Sequence, residues 1–210
     1  MPKRYVSLDI STNTGYAIFH NTKLIKYGVF TRKVHEYKAD VKTCTDLPKS
    51  YPDNFIAAID AITAMCMRII KNNDIDMVVM EHPEQGKQRM SQRLLEWIHL
   101  ALIREFKRYE IPYKYILVSD WRKVVKCYIK DWPDLQHWNK EVRKAKGKAT
   151  PTKTGRKIAK IEGRRVSKID QKKLSIMIAN DYYNLEVTDN NIADAINIGR
   201  AANELNLVNF

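Results

Sequence analysis

The sequence predicts an α/β domain built on a mixed five-stranded sheet, antiparallel at its start and parallel afterwards, with flanking helices. Three observations carry that prediction. Three short strand-like segments joined by tight turns occupy residues 5–30. Two further apolar strands, 75–80 and 113–118, each follow a long segment whose apolar residues recur at helical spacing. The chain then closes with helices, and strand–helix–strand crossovers of this kind place parallel strands side by side under helical cover.

The opening run Tyr5-Val-Ser-Leu-Asp-Ile10 alternates apolar with polar residues, Asn13-Thr14-Gly15 supplies a turn, and Tyr16-Ala-Ile-Phe19 returns. Leu24 to Phe30 makes a third strand. Residues 31–52 are polar and interrupted by Pro48 and Pro52, as expected of a surface connection. Asn54 is placed to cap a helix running to about Asn73, with Phe55, Ile59, Ile62, Cys66, Ile69 and Ile70 on its packed stripe. The run Ile75-Asp-Met-Val-Val-Met80 suits a strand covered on both faces and ends in Glu81. From Gly86 a long helix is expected to about Tyr109, packed through Leu94, Leu95, Ile98, Leu102 and Phe106. Ser119 and Asp120 should cap a helix reaching about Ile129.

Between about 130 and 165 the periodicity dissolves, and a basic insertion or flexible arm within a single domain, 1–210, is expected. Ser167, three residues before Asp170, resembles a capping box for a helix to about Tyr183. A last helix runs from about Asp189 to Leu205, packed through Ile192, Ala195, Ile196 and Gly199.

Composition narrows the function classes. No run approaches the roughly 18 apolar residues of a membrane span, and the N-terminus lacks the layout of a secretory signal. Cys44, Cys66 and Cys127 are widely spaced without a CxxC, so reduced thiols in a cytoplasmic protein are expected, with neither disulfide frame nor zinc site. The formal net charge is +13, and the stretch 140–173 holds 14 basic residues against three acids. A solvated loop accounts for such a block less well than a polyanion partner does.

Three acids stand out against this background. Asp9 sits inside a well-formed strand, Glu81 closes a buried one, and Asp194 lies on the first turns of the last helix. An unpaired buried carboxylate costs on the order of several kcal/mol, so each needs a partner. If the first and fourth strands are neighbours, Asp9 and Glu81 face each other, and a helix across them delivers Asp194. Clustered carboxylates call for a cation, and an all-oxygen donor set suits Mg2+ or Mn2+. Beside a basic surface, such a site fits phosphodiester hydrolysis.

The order of elements, together with the Leu8-Asp9-Ile10-Ser-Thr-Asn-Thr-Gly15-Tyr-Ala17 opening, the Val78-Val79-Met80-Glu81 strand end and the Asn191-Ile-Ala-Asp194-Ala195 helix, resembles the RuvC-type Holliday junction resolvases of the RNase H-like superfamily. The phage-encoded branch is the one it looks most like. The resemblance covers the chain apart from about 130–165. It implies an RNase H-like fold and two Mg2+ ions per active site, with Mn2+ able to substitute. It also implies paired, symmetric nicking of four-way and other branched DNA by a homodimer in the host cytoplasm. Asp9, Glu81 and Asp194 match the family's catalytic and metal-binding acids. The fourth position is Asn191, which offers a neutral oxygen where the family has a carboxylate. It is either a natural ligand of a slower enzyme or an Asp-to-Asn change that lets DNA bind uncut. Asp189, two residues away, would need rearrangement to substitute.

The resemblance places DNA contacts after the catalytic Glu, here Gly86, Lys87, Gln88, Arg89 and Arg93, where three cations at a helix start make sense facing phosphate. Lys153, Arg156, Lys157, Arg164, Arg165 and Lys168 extend the expected DNA-binding surface into the arm. Tyr128, Trp132 and Trp138 either stack on exposed bases or anchor that arm. His82 is either a proton shuttle or a structural hydrogen-bonded residue. No aromatic junction wedge is evident among His82, Pro83 and Met90. Ile161-Glu-Gly-Arg164 has the look of a protease site, for which coincidence is the simpler account. The helix from 90 to 109 is a candidate dimer face through Trp97 and Ile98. Two other readings stand beside the resolvase: a branched-DNA-binding protein without catalysis, for which Asn191 speaks, and an RNase H-like nuclease acting on RNA/DNA hybrids.

Overall fold

The structure, a computed structural model, describes residues 4–31, 50–83, 89–149 and 156–208. Five strands, β1 (Arg4–Asp9), β2 (Asn13–His20), β3 (Lys23–Thr31), β4 (Met77–Glu81) and β5 (Tyr113–Ile116), form one sheet in the order β3-β2-β1-β4-β5. β1 pairs antiparallel with β2 and parallel with β4, and β4 pairs parallel with β5. The expected mixed sheet is therefore the observed one.

The period of two along β1 sorts its side chains between two cores. Val6 and Leu8 join Ile18, Phe30, Val78 and Met80 against α1 (Asp53–Asn72) and α2 (Arg89–Arg108). Tyr5 turns to the opposite face with Phe19, Met77 and Val79, under α3 (Val118–Val124), α5 (Gln171–Tyr183) and α6 (Asn190–Glu204). Helices thus cover both faces of the sheet. By the same alternation Ser7 and Asp9 on β1, and Glu81 on β4, belong to the face that carries α6. The site depends on this parity.

Several boundaries differ from the sequence reading. β2 begins at Asn13, because Ser11 and Thr14 brace a tighter turn: Thr14 Oγ1 donates to Ser11 O at 2.7 Å and Ser11 Oγ donates to Asn13 O at 2.8 Å. α1 starts at Asp53 after Pro52, and Asn54 is not its cap. α3 ends at Val124, five residues short of the expected Ile129, where Lys126 takes a left-handed φ of 57°. The cap of α5 is Asp170, which accepts from Lys173 N at 3.0 Å, while Ser167 Oγ instead accepts from Lys173 Nζ.

The largest difference lies in 130–165, where no regular element was expected. Pro133–Lys148 forms a helix, α4, opened by Pro133 at its first turn and built largely from good helix formers. It is followed by a two-stranded hairpin, β6 (Lys160–Ile161) and β7 (Arg164–Arg165). Apolar periodicity failed here because α4 packs only a narrow stripe, with Asn139 and Val142 as its buried residues. Polar clamps do the anchoring. The Asn139 amide donates to Ile169 O and accepts from Ile169 N, both at 2.8 Å, and Trp132 Nε1 donates to Lys126 O at 2.7 Å.

A candidate active site at the α6 end of the sheet

Two hydrogen bonds set how α6 lies on the sheet. Tyr5 Oη donates to Gly199 O at 3.0 Å, and Ser7 Oγ donates to Ala195 O at 2.6 Å. Two residues along a strand advance about 6.6 Å and four along a helix about 6 Å, so the two elements run antiparallel nearly in step. One further step brings Asp9 to the first turn of α6, at Asn191. Gly15 fixes the approach: it pairs with Asp9 across β1 and β2, and a Cβ on it would lie 1.9 Å from the Asn191 carbonyl oxygen. Only glycine admits the helix at this distance.

Glu81 reaches the same place through the parallel pairing. The β1–β4 register ends at Leu8 opposite Met80, and Asp9 and Glu81 are the next residues on adjacent strands. Asp9, Glu81, Asn191 and Asp194 are thus brought together from β1, β4 and α6. Their electrostatics agree. Burial pushes the Asp9 carboxyl well above the usual carboxylate range, and the neighbouring Asp194 and Glu81 charges push it further. Asp194 is also raised, chiefly by burial, while the Ser175 hydrogen bond and the charges of Arg122 and Lys172 oppose the shift.

Glu81 and Asp194 are already held by the protein. Trp121 Nε1, on a fully buried ring, donates to Glu81 Oε2 at 2.7 Å. Ser175 Oγ donates to Asp194 Oδ1. Asp189 caps α6, accepting from Asn191 N at 2.7 Å and from Asn191 Nδ2 at 3.0 Å. Among the described residues, no group of three or more His, Cys, Asp or Glu forms a ready metal cage as the side chains stand. The donor chemistry nevertheless fits a hard divalent cation: every candidate ligand is an oxygen, and the mutual repulsion at Asp9 is what a bound cation relieves.

Sequence reasoning missed Trp121, Arg122, Lys172, Ser175 and Asn197. Arg122 stacks on Trp121, its guanidinium carbon 5.1 Å from the ring, and its buried Nε has no hydrogen-bond partner. With Lys172 it supplies the positive charge that opposes the upward shift of both Asp9 and Asp194. The available signal was Trp121 itself, since a buried indole N–H needs an acceptor.

The expected DNA-binding residues divide. Gly86, Lys87, Gln88 and Lys153 lie outside the described residues, and Arg89 falls in α2 without a described side chain. Arg93, Arg156, Lys157, Arg164, Arg165 and Lys168 are all exposed. Arg165 joins Lys144, Lys148 and Lys160 in lining a groove of about 1130 Å³ between α4 and the β6–β7 hairpin. Trp132 and Trp138 spend their N–H groups anchoring α4, Trp138 on Ser167 O at 3.3 Å. The His82 ring packs edge-on against Tyr115, centroids 5.5 Å apart. Ile98 is core, whereas Trp97 is 40% exposed and packs edge-on against Phe55, so the apolar surface on α2 excludes Ile98. Cys66 and Cys127 are buried free thiols, and Cys44 lies outside the described residues. No helix among the described residues is long and apolar enough to cross a membrane.

No protein-family model matches the chain, and no curated protein matches it in sequence. Solved structures do resemble it. RuvC of T. thermophilus in complex with a Holliday junction substrate superposes with a TM-score of 0.58 at 9% identity, covering 98% of this chain and 96% of that one. A second Thermus thermophilus RuvC structure gives 0.53 at 12% identity, covering 97% and 96%. The yeast mitochondrial Holliday junction resolvase gives 0.48 at 12% identity. From β1 to α6, this chain has the RuvC-type, RNase H-like fold.

Proposed function

We propose that this protein is a divalent-metal-dependent endonuclease that resolves four-way and related branched DNA by paired symmetric nicks. One observation carries the reading: Asp9, Glu81 and Asp194 come from β1, β4 and α6 to one partly buried place, with Arg122 and Lys172 beside them. The whole-chain likeness of fold to a protein solved with a Holliday junction supports the choice of substrate.

Asp9, Glu81 and Asp194, with the Asn191 amide oxygen, would hold two Mg2+ or Mn2+ ions, which supply Lewis acidity for phosphodiester hydrolysis. The remaining work falls to this chain's own groups. Arg122 and Lys172 bind the phosphate whose charge the acids alone would repel. Trp121 orients Glu81. The basic surface of α4 and the β6–β7 hairpin holds the DNA arms by sequence-independent phosphate contacts. A homodimer supplies the second site for symmetric cutting. Ile56, Trp97 and Leu100, apolar and exposed on α1 and α2, form the pairing face.

The test is cleavage of a labelled immobile four-way junction in Mg2+ by the chain, by Asp9→Asn and by Asn191→Asp. Symmetric nicks by the chain or by Asn191→Asp, absent from Asp9→Asn, are expected. Tight binding without cleavage by both the chain and Asn191→Asp would leave a junction-binding protein instead. Cleavage confined to an RNA/DNA hybrid would move the activity to another branch of the fold.

A further inference from the structure

Against Asp194 lies a buried polar pair that the proposed chemistry does not use. Ser175 on α5 is 1% exposed and Asn197 on α6 is fully buried. Asn197 Nδ2 donates to Ser175 O at 3.0 Å and to Ser175 Oγ at 2.9 Å, and Ser175 Oγ donates to Asp194 Oδ1. The direction of this chain is forced. A backbone carbonyl only accepts, so the amide must turn its NH2 group toward Ser175. The hydroxyl then receives a hydrogen bond from Asn197, and its single proton is committed to Asp194.

The arrangement carries a cost. Asn197 Oδ1 is buried and has no hydrogen-bond partner, and leaving an amide oxygen unpaired in a core is unfavourable. An apolar residue of similar size would pack there without that penalty, so packing does not explain an amide at 197. Its donated hydrogen bonds do.

We infer that Ser175 and Asn197 are positioning residues: Asn197 locks the Ser175 hydroxyl, which fixes the Asp194 carboxylate in the orientation that binds the divalent cation. This rests on the reading of Asp194 as a metal ligand. It also assigns α5 a part in the site, through a hydroxyl from its second turn. Partners that orient a ligand from behind typically change metal affinity by 10–100-fold when removed.

The test is Mn2+ titration of the full chain, following loss of the free-ion paramagnetic resonance signal, for wild type, Ser175→Ala, Asn197→Leu and the double variant. Melting of each metal-free protein is measured alongside. Ser175→Ala should weaken Mn2+ binding about 10-fold. Asn197→Leu should weaken it in the same direction while the metal-free protein melts no lower than wild type, because the orphaned oxygen is gone. The double variant should bind no more weakly than Ser175→Ala, since Asn197 acts through Ser175. Wild-type affinity in both single variants, with wild type itself binding, would overturn the inference and leave the metal site standing. Additive losses would overturn the relay from Asn197. Absence of Mn2+ binding by wild type would remove the metal site and this inference together.

Discussion

Replacing Gly15 by alanine should disable the site without touching any acid in it. The added Cβ would stand 1.9 Å from Asn191 O, 2.4 Å from Asn191 C and 3.0 Å from Ile192 N, all backbone atoms of the first turn of α6. No flexible side chain can step aside. Ordinary contact begins at 3.4 Å, so a gap of about 1.5 Å must open between β2 and the helix. Because Asp9 pairs with Gly15 while Asn191 and Asp194 ride on α6, that movement shifts Asp194 relative to Asp9. Misplacement of about 1 Å at a reacting centre costs roughly 100-fold in rate. Overpacking of this kind costs about 1–3 kcal/mol. In a chain of this size that lowers the melting temperature by roughly 2–12 °C. The assay is junction cleavage in Mg2+ with melting measured on the same preparation, using whichever parent, the chain or Asn191→Asp, cuts. Loss of at least about 100-fold in rate by a protein that still melts cooperatively is expected. Wild-type cleavage by a destabilised Gly15→Ala would refute the reasoning, because α6 would then not be setting the Asp9–Asp194 distance.

Three further outcomes follow from single contacts. Trp121→Phe keeps a large apolar ring but removes the N–H given to Glu81, so cleavage should fall about 10–100-fold while junction binding without metal is unchanged. Burial, reinforced by the nearby His82, lowers the His99 imidazole to about 4, so it is neutral in the fold beside the Tyr115 hydroxyl 2.9 Å away. The unfolded chain binds this proton below about 6.5 and the folded one only near 4, so stability should fall as pH drops through that window, by about 3 kcal/mol at most. His99→Gln should flatten that part of the melting-versus-pH curve, and an unchanged slope would count against it. Leu100 is 57% exposed and belongs to neither core, so under the proposed dimerisation wild type should sediment as a dimer and Leu100→Glu as a monomer, with no loss of melting temperature as a monomer.

The parts of the fold that follow from apolar period were legible in the sequence. Val6, Leu8 and Ile10 announced β1, and the stripe through Ile62, Cys66 and Ile70 announced α1. Asp9 and Glu81 could be set facing each other only on the condition that the first and fourth strands are neighbours, which the parallel β1–β4 pairing meets. What stayed hidden was held by polar contacts. α4 has almost no buried stripe, and its anchors are an Asn139 amide on a distant backbone and two indole N–H groups. Nothing in local spacing shows that Asn139 will meet Ile169, thirty residues on. Ser175 and Asn197 were invisible for the same reason: each looks like an ordinary helix residue until α5 and α6 are packed together.

Asn191 shows the same limit at the heart of the site. In the sequence it is a gap in a pattern, the one position where a neutral amide replaces an expected carboxylate. In the structure its Nδ2 donates to Asp189, the residue that caps the helix and whose charge also reaches Asp194. A carboxylate at 191 could not make that bond and would face Asp189 as a like charge. At about 3–4 Å and an effective dielectric near 20, that is a repulsion of about 4 kcal/mol before the side chains swing apart. The amide therefore fits the place it occupies, and the negative charge absent at 191 stands two residues earlier, at Asp189.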